Sequence, residues 1–275
     1  MLHVIHILEV MLPLLYLGVF GLYLRHFLQS KDHGTPFRGT HFLYAALVLH
    51  VSYLTLRGIT FHHFPVSSRA EFLSLVALCV GLVYAFAETR HKESDTGAFF
   101  IAIVAILQVM ASLMVEDSTT HLILHENPVY GVHVIFTMFG FAALAVSALY
   151  ALMYVLLSRQ LKSRELGVIF RRLPPLSALE NMSRLAATSG IALLGLGLAL
   201  GHFVGLYIMD DFNFTDPKIL ITDIAWLAYA LGLLVVKVRG LSGLRMAYFS
   251  LFGYMTFILA MVAVNTFSST FHSFQ

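Results

Sequence analysis

Cysteine is almost missing from this chain: one residue, Cys79, in 275. A lone thiol inside an apolar run excludes a disulfide framework, a CxxC redox pair and a covalent haem-attachment CxxCH motif; it reads as a small packed hydrophobe. Charge is scarce too, at 12% against 59% hydrophobic residues, with a mean hydropathy of +0.82. Soluble domains carry about 25% charged residues, so a surface mostly facing water is excluded. A net charge of +2 without a basic, aromatic-interleaved stripe excludes a nucleic-acid partner. Tryptophan occurs once, at Trp226. HExxH is absent, and no other compact His/Asp/Glu spacing replaces it, which removes the membrane zinc peptidases.

What remains is hydrocarbon-compatible sequence in long runs. Apolar stretches of about 20 residues occupy approximately 4–24, 41–60, 70–88, 97–115, 130–157, 185–208, 219–237 and 245–268. They predict an all-α polytopic bundle of about eight spans, forming a single integral membrane domain over 1–275 with membrane lipid as its solvent. The start, Met1-Leu2-His3-Val4, lacks a basic n-region and a small-residue cleavage site, and reads as a retained first helix. Alternate loops divide the 17 Lys and Arg residues fourteen to three, with only Arg57, Arg69 and Lys218 in the minor set. The positive-inside rule then predicts extracytoplasmic termini and a multi-pass protein of the bacterial plasma membrane. The longest basic connection, Arg159 to Arg184, contains Pro174-Pro175 and then Ser177 with Glu180. That spacing predicts a capping box on a short helix feeding the sixth span.

Histidine is the residue in excess, with fourteen copies. An imidazole is costly in hydrocarbon unless hydrogen-bonded or metal-bound, and it is a standard axial ligand of haem. The predicted topology places His3, His6, His62, His63, His121, His125, His133, His202 and His272 at or near the outer face, and His50 in mid-span. Such a cluster is consistent with haem or metal held near that face, and Arg57 and Arg69, flanking His62-His63, could meet haem propionates. His50 and His63 stand thirteen residues apart, as haem-stacking pairs in cytochrome b bundles do, but no second helix offers a matching pair.

Several segments together resemble a known family. They are His63-Phe64-Pro65-Val66-Ser67 with Glu71, and Gly131-Val132-His133-Val134 at the start of a span. Further along come Arg172-Leu173-Pro174-Pro175-Leu176-Ser177-Ala178-Leu179-Glu180, Gly190 to Gly197, Asp216-Pro217-Lys218, Ile224 to Ala230, Val264-Asn265 and Phe271-His272-Ser273-Phe274. From about residue 55 to 275 the chain resembles the CcsA-type cytochrome c assembly proteins and their shorter HemX-like relatives, which handle haem in the membrane. In that family two extracytoplasmic histidines flank a tryptophan-rich loop and ligate haem iron from both sides. The resemblance carries this role to His133 and His272. It implies non-covalent haem b, with His63 and Arg69 at its edge and Asp216 retained from the loop, and leaves His50 or His202 as the substitute imidazole for a deeper site. Here that loop, Met209 to Ile219, has no tryptophan, and a histidine expected near the end of the seventh span is Leu234. These departures favour the HemX-like branch over a complete cytochrome c synthetase. The expected partners are haem and other cytochrome c assembly proteins or a membrane cytochrome complex. The alternatives are a haem-free regulatory or structural subunit working through its basic loop, and a b-type haem electron-transfer subunit near a quinone site.

Overall fold

A computed structural model describes residues 2–29, 37–115, 127–164, 167, 172–208 and 213–267, the last with side chains to 263. Among them there are eight helices and no strand. In chain order they are α1 (Leu2–Leu28), α2 (Gly39–Phe61), α3 (Arg69–His91), α4 (Gly97–Leu113), α5 (Pro128–Ser163), α6 (Leu176–Ile208), α7 (Pro217–Val238) and α8 (Leu244–Phe267). Seven are long and apolar enough to cross a membrane; α4, at 17 residues, is apolar but shorter. In hydrocarbon only a helix satisfies its own backbone polar groups within one segment, so the apolar runs and the helices coincide.

The helix termini carry local signals. Ser68 caps α3 by accepting the Glu71 backbone N–H at 3.2 Å, while the Glu71 carboxylate takes the Ser67 N–H at 2.9 Å. This is a capping arrangement shifted back by one residue. Helices α2 and α3 both close on a left-handed residue, His62 and Lys92. The capping box expected at Ser177 and Glu180 does not form. Helix α6 begins at Leu176, directly after Pro174-Pro175, and runs unbroken for 33 residues, so the helix that contains Ser177 is the sixth span itself. Glu180 instead receives Arg184 at 2.7 Å and the backbone N–H of Gly243 at 3.0 Å, tying the α7–α8 turn to α6.

The chain forms two compact units, Met1–Gly131 and Val132–Gln275. In the first, α1 to α4 pack around a core that includes Tyr16, Leu43, Tyr84, Phe100 and Ile101. In the second, α5 and α6 run antiparallel in constant register. A Cβ added at Gly140 would stand 2.6 Å from the Leu194 backbone nitrogen, and one at Gly190 would stand 3.0 Å from that of Leu144. At Gly197 it would stand 2.8 Å from the Thr137 nitrogen, and at Gly201 2.6 Å from Cε1 of His133. Glycines therefore set the close approach of these two backbones, the usual means of helix association where lipid removes the hydrophobic drive. Deeper in the same interface Ser147 and Ser183 exchange hydrogen bonds with each other's backbone carbonyls, at 2.8 and 3.0 Å. Trp226 of α7 crosses to α6 and donates Nε1–H to the Ile191 carbonyl at 2.9 Å. The single tryptophan is thus a packing residue with its one polar atom satisfied.

Candidate functional site

The resemblance gives His133 a specific role, and the α5–α6 interface determines its geometry. Its ring lies against Gly201, and Nδ1 sits 2.7 Å from the Gly197 carbonyl oxygen. A carbonyl only accepts, so Nδ1 carries the hydrogen and donates it. In a neutral imidazole this leaves the lone pair on Nε2, the nitrogen that an axial ligand offers to iron. The constraint comes from two glycines one helical turn apart: Gly197 supplies the carbonyl, and at Gly201 a side chain would displace the ring.

His202 neighbours it at the same end of this unit. Its Nδ1 is 2.8 Å from the Leu198 carbonyl and its Nε2 is 3.1 Å from Asp223 Oδ2 on α7. Both ring nitrogens face acceptors, an arrangement that suits a hydrogen on each. The ring also stacks on Phe214, with centroids 6.0 Å apart.

Asp216, only 6% exposed, is the N-cap of α7. Its Oδ1 accepts the Lys218 backbone N–H at 2.8 Å, and Pro217 occupies the first helical turn, where its missing N–H costs nothing. The Asp-Pro-Lys segment therefore has a local reason to exist. Asp216→Ala is expected to destabilise the protein by about 1 kcal/mol through loss of the cap, whereas Asp216→Ser, which keeps the acceptor, stays near wild type; thermal unfolding in detergent distinguishes the two.

The remaining expected residues fall elsewhere. His272 and residues 209–212 of the loop lie outside the described residues. Helix α8 runs antiparallel to α7, as the pairs Thr222–Met261, Tyr229–Gly253 and Gly232–Phe249 show together. It therefore leads the chain toward the end of this unit that carries Asp216 and His133. His63 and Arg69 belong to the first unit. Arg69 is exposed at the start of α3, while His63 is buried and bonded through Nδ1 to the Phe64 carbonyl at 2.9 Å. Arg57, which the sequence offered to propionates, is 2% exposed and engaged with two carboxylates, Glu71 at 2.5 Å and Glu9 at 2.7 Å. No group of three or more His, Cys, Asp or Glu side chains suited to a metal ion occurs among the described residues.

Two features escaped sequence reasoning. Asp223 sits inside an apolar span with no flanking motif, and only the α6–α7 contact shows that it faces His202. Glu9 lies in a first helix whose register against α2 and α3 had no sequence signal. Its place inside an apolar run was the available clue, since a carboxylate there is expensive unless partnered.

An all-helical chain with seven candidate spans and a tautomer-locked imidazole between two of them defines a multi-span membrane protein. The profile of the cytochrome c assembly protein family matches residues 40–272, and the chain belongs to that family. The chain is 28% identical over 189 residues to the inner membrane protein YpjD of Escherichia coli K12, covering 68% of this chain and 69% of the relative. It is 25% identical over 269 residues, 94% of each chain, to protein HemX of Brevibacillus brevis. It is 23% identical over 253 residues, 80% of each, to the cytochrome c biogenesis protein CcsA of Chlorella vulgaris. No solved structure gives a significant match.

Proposed function

We propose that this protein binds haem b non-covalently at the end of its second unit, with His133 and His272 as the axial pair. It would serve cytochrome c assembly or haem homeostasis in a bacterial plasma membrane. The observation that carries this reading is the Nδ1–H bond from His133 to the Gly197 carbonyl, which presents Nε2 as the donor atom. The His133 imidazole, with its tautomer fixed, would hold the haem iron through Nε2, and His272 would supply the second nitrogen. Bound haem would add a redox-active iron whose potential such ligands tune. The protein's own contribution is to orient the ring of His133 and shield it between α5 and α6. The pair His202–Asp223 places a polar, hydrogen-bonding surface beside it, and the Asp216 cap anchors the loop that precedes α7. Without the tryptophan platform, the reading is haem binding and delivery rather than thioether synthesis.

The absorption spectrum of the detergent-purified protein, expressed with ample haem, tests this. Wild type is expected to show a Soret band and the sharp α-band of bis-histidine haem when reduced. His133→Ala and His272→Ala are each expected to lose or shift that signature. A mild form of the same defect is expected in Gly201→Ala, whose Cβ would stand 2.6 Å from the ring. Unchanged spectra in both alanine variants would sink the ligand assignment, and protein free of haem would favour a regulatory role.

A further inference from the structure

The first unit holds more buried ionisable and hydroxylic side chains than helix packing requires. They form three tiers along α1, at Glu9, Tyr16 and Tyr23, each seven residues apart and so on one face. Helix α2, running the opposite way, answers with Arg57 and then His50. Interhelical adhesion in a membrane is served by Ser, Thr and small residues at modest cost. Carboxylates, guanidinium and imidazole at membrane depth are expensive and mark ion or proton pathways.

The first tier has two carboxylates against one guanidinium. Glu9 and Glu71 share Arg57, and Tyr53 donates to Glu9 at 3.4 Å. Imidazoles adjoin both acids: His6 lies 3.2 Å from Glu9, and His63 Nε2 lies 3.9 Å from Glu71. The side chain of His6 is 57% exposed, so this tier reaches the surface of the unit.

The second tier centres on His50, which is fully buried. Ser74 donates to Gln108 at 3.0 Å, so the hydrogen between His50 Nε2 and Ser74 Oγ, 2.8 Å apart, belongs to the imidazole. Nδ1 is then the acceptor for the Tyr16 hydroxyl at 3.0 Å. The centre of the bundle therefore holds an imidazole whose basic nitrogen already receives a donor.

The third tier is Glu88. Tyr23 donates to it at 2.7 Å and Thr40 at 2.5 Å, and half-buried Thr40 brings this tier to the opposite end of the bundle.

We propose that α1 to α4 form a proton-transfer pathway, with His6 and Glu9 at one mouth, His50 as the central relay and Glu88 at the other mouth. A proton from the first tier reaches the Tyr16 oxygen as the Tyr16 hydroxyl hydrogen passes to His50 Nδ1, giving the imidazolium, which then releases its Nε2 hydrogen by way of Ser74 toward Glu88. Only N–H and O–H bonds form and break, and no redox partner is needed. The His50 and Tyr53 ring centroids are 6.4 Å apart. Tyr16 and Tyr23 are separated by two helical turns, about 10.5 Å at 1.5 Å per residue. Both intervals exceed a hydrogen bond, so the pathway requires water to enter them. The proposal is independent of haem binding, because every residue it uses lies in the first unit.

The test is proton flux in liposomes holding the purified full chain and an internal pH-sensitive dye, driven by a potassium diffusion potential. Wild type is expected to acidify the lumen at least ten-fold faster than empty liposomes. His50→Phe and Glu88→Gln are expected to return the rate to that background. His50→Gln is the deciding variant, since it can still bond to Tyr16 and Ser74 and so preserves the fold, yet it cannot carry the proton. It should elute like wild type on size exclusion and conduct at background. No flux above empty liposomes, or wild-type flux in a well-folded His50→Gln, would overturn the proposal.

Discussion

Replacing Arg57 by methionine is expected to destabilise the protein by about 3–5 kcal/mol, the cost of stripping the counter-charge from buried ions. The side chains of Arg57 and Glu71 are 3% and 2% exposed, and that of Glu9 is 11% exposed, so solvent has little access to screen what is left behind. The guanidinium suits this place because its planar fork offers Nε to one carboxylate and a terminal nitrogen to the other. It also lies 5.1 Å from the Phe61 ring centroid, a cation–π contact that methionine forfeits. Lysine, a single point charge, would reach one carboxylate well at best. The triple variant Arg57→Met, Glu9→Gln, Glu71→Gln is expected to recover most of the loss, since it removes the repelling charges along with the cation. Thermal unfolding of the detergent-solubilised variants reads both effects. Equal melting of Arg57→Met and wild type would show that the triad adds nothing to stability.

The second large effect is expected from a single methyl group. Gly140→Ala puts a Cβ 2.6 Å from the Leu194 nitrogen and 2.8 Å from its Cα, and backbone cannot swing aside as a side-chain tip can. Helices α5 and α6 would have to separate, at a cost of about 1–3 kcal/mol for overpacking. Ser147 and Ser183, whose hydrogen bonds depend on the same close approach, would weaken with it. Gly18→Ala is the matching control: it is also mid-helix, but a Cβ there meets nothing within 4 Å. It is expected to melt at or slightly above the wild-type temperature, because alanine lowers the entropy cost of the helix. If both variants behave alike, the glycine contacts between α5 and α6 do not govern the packing of the second unit.

The contrast between these glycines shows how far the sequence reaches. Gly18, Gly140 and Gly197 look alike in an apolar run, yet only the last two stand where another backbone approaches. The same holds for the histidines. Excess histidine in a low-charge chain raised the expectation of a haem site, and the resemblance singled out His133. Neither could say which of its nitrogens carries hydrogen, because that depends on a carbonyl 64 residues away in sequence. His50 was legible as costly, but its partners Tyr16 and Ser74 come from two other helices. Arg57, near the end of its span and beside the His62-His63 loop, read as a partner for haem propionates; across the bundle it meets Glu9 and Glu71.

By itself, then, the sequence determined the class and, among the described residues, the approximate limits of the long apolar helices. Hydrophobic length is a local property, and a bilayer demands that each run satisfy its own backbone. The capping of α7 by Asp216 and Pro217 is local chemistry too, acting over two or three residues, although the resemblance offered Asp216 only as a retained loop residue. The tertiary structure alone decided which polar side chains face one another. Interhelical register arises from packing between segments distant in the chain, and one helical turn of slip would replace Glu9, Arg57 and Glu71 with unpaired charges.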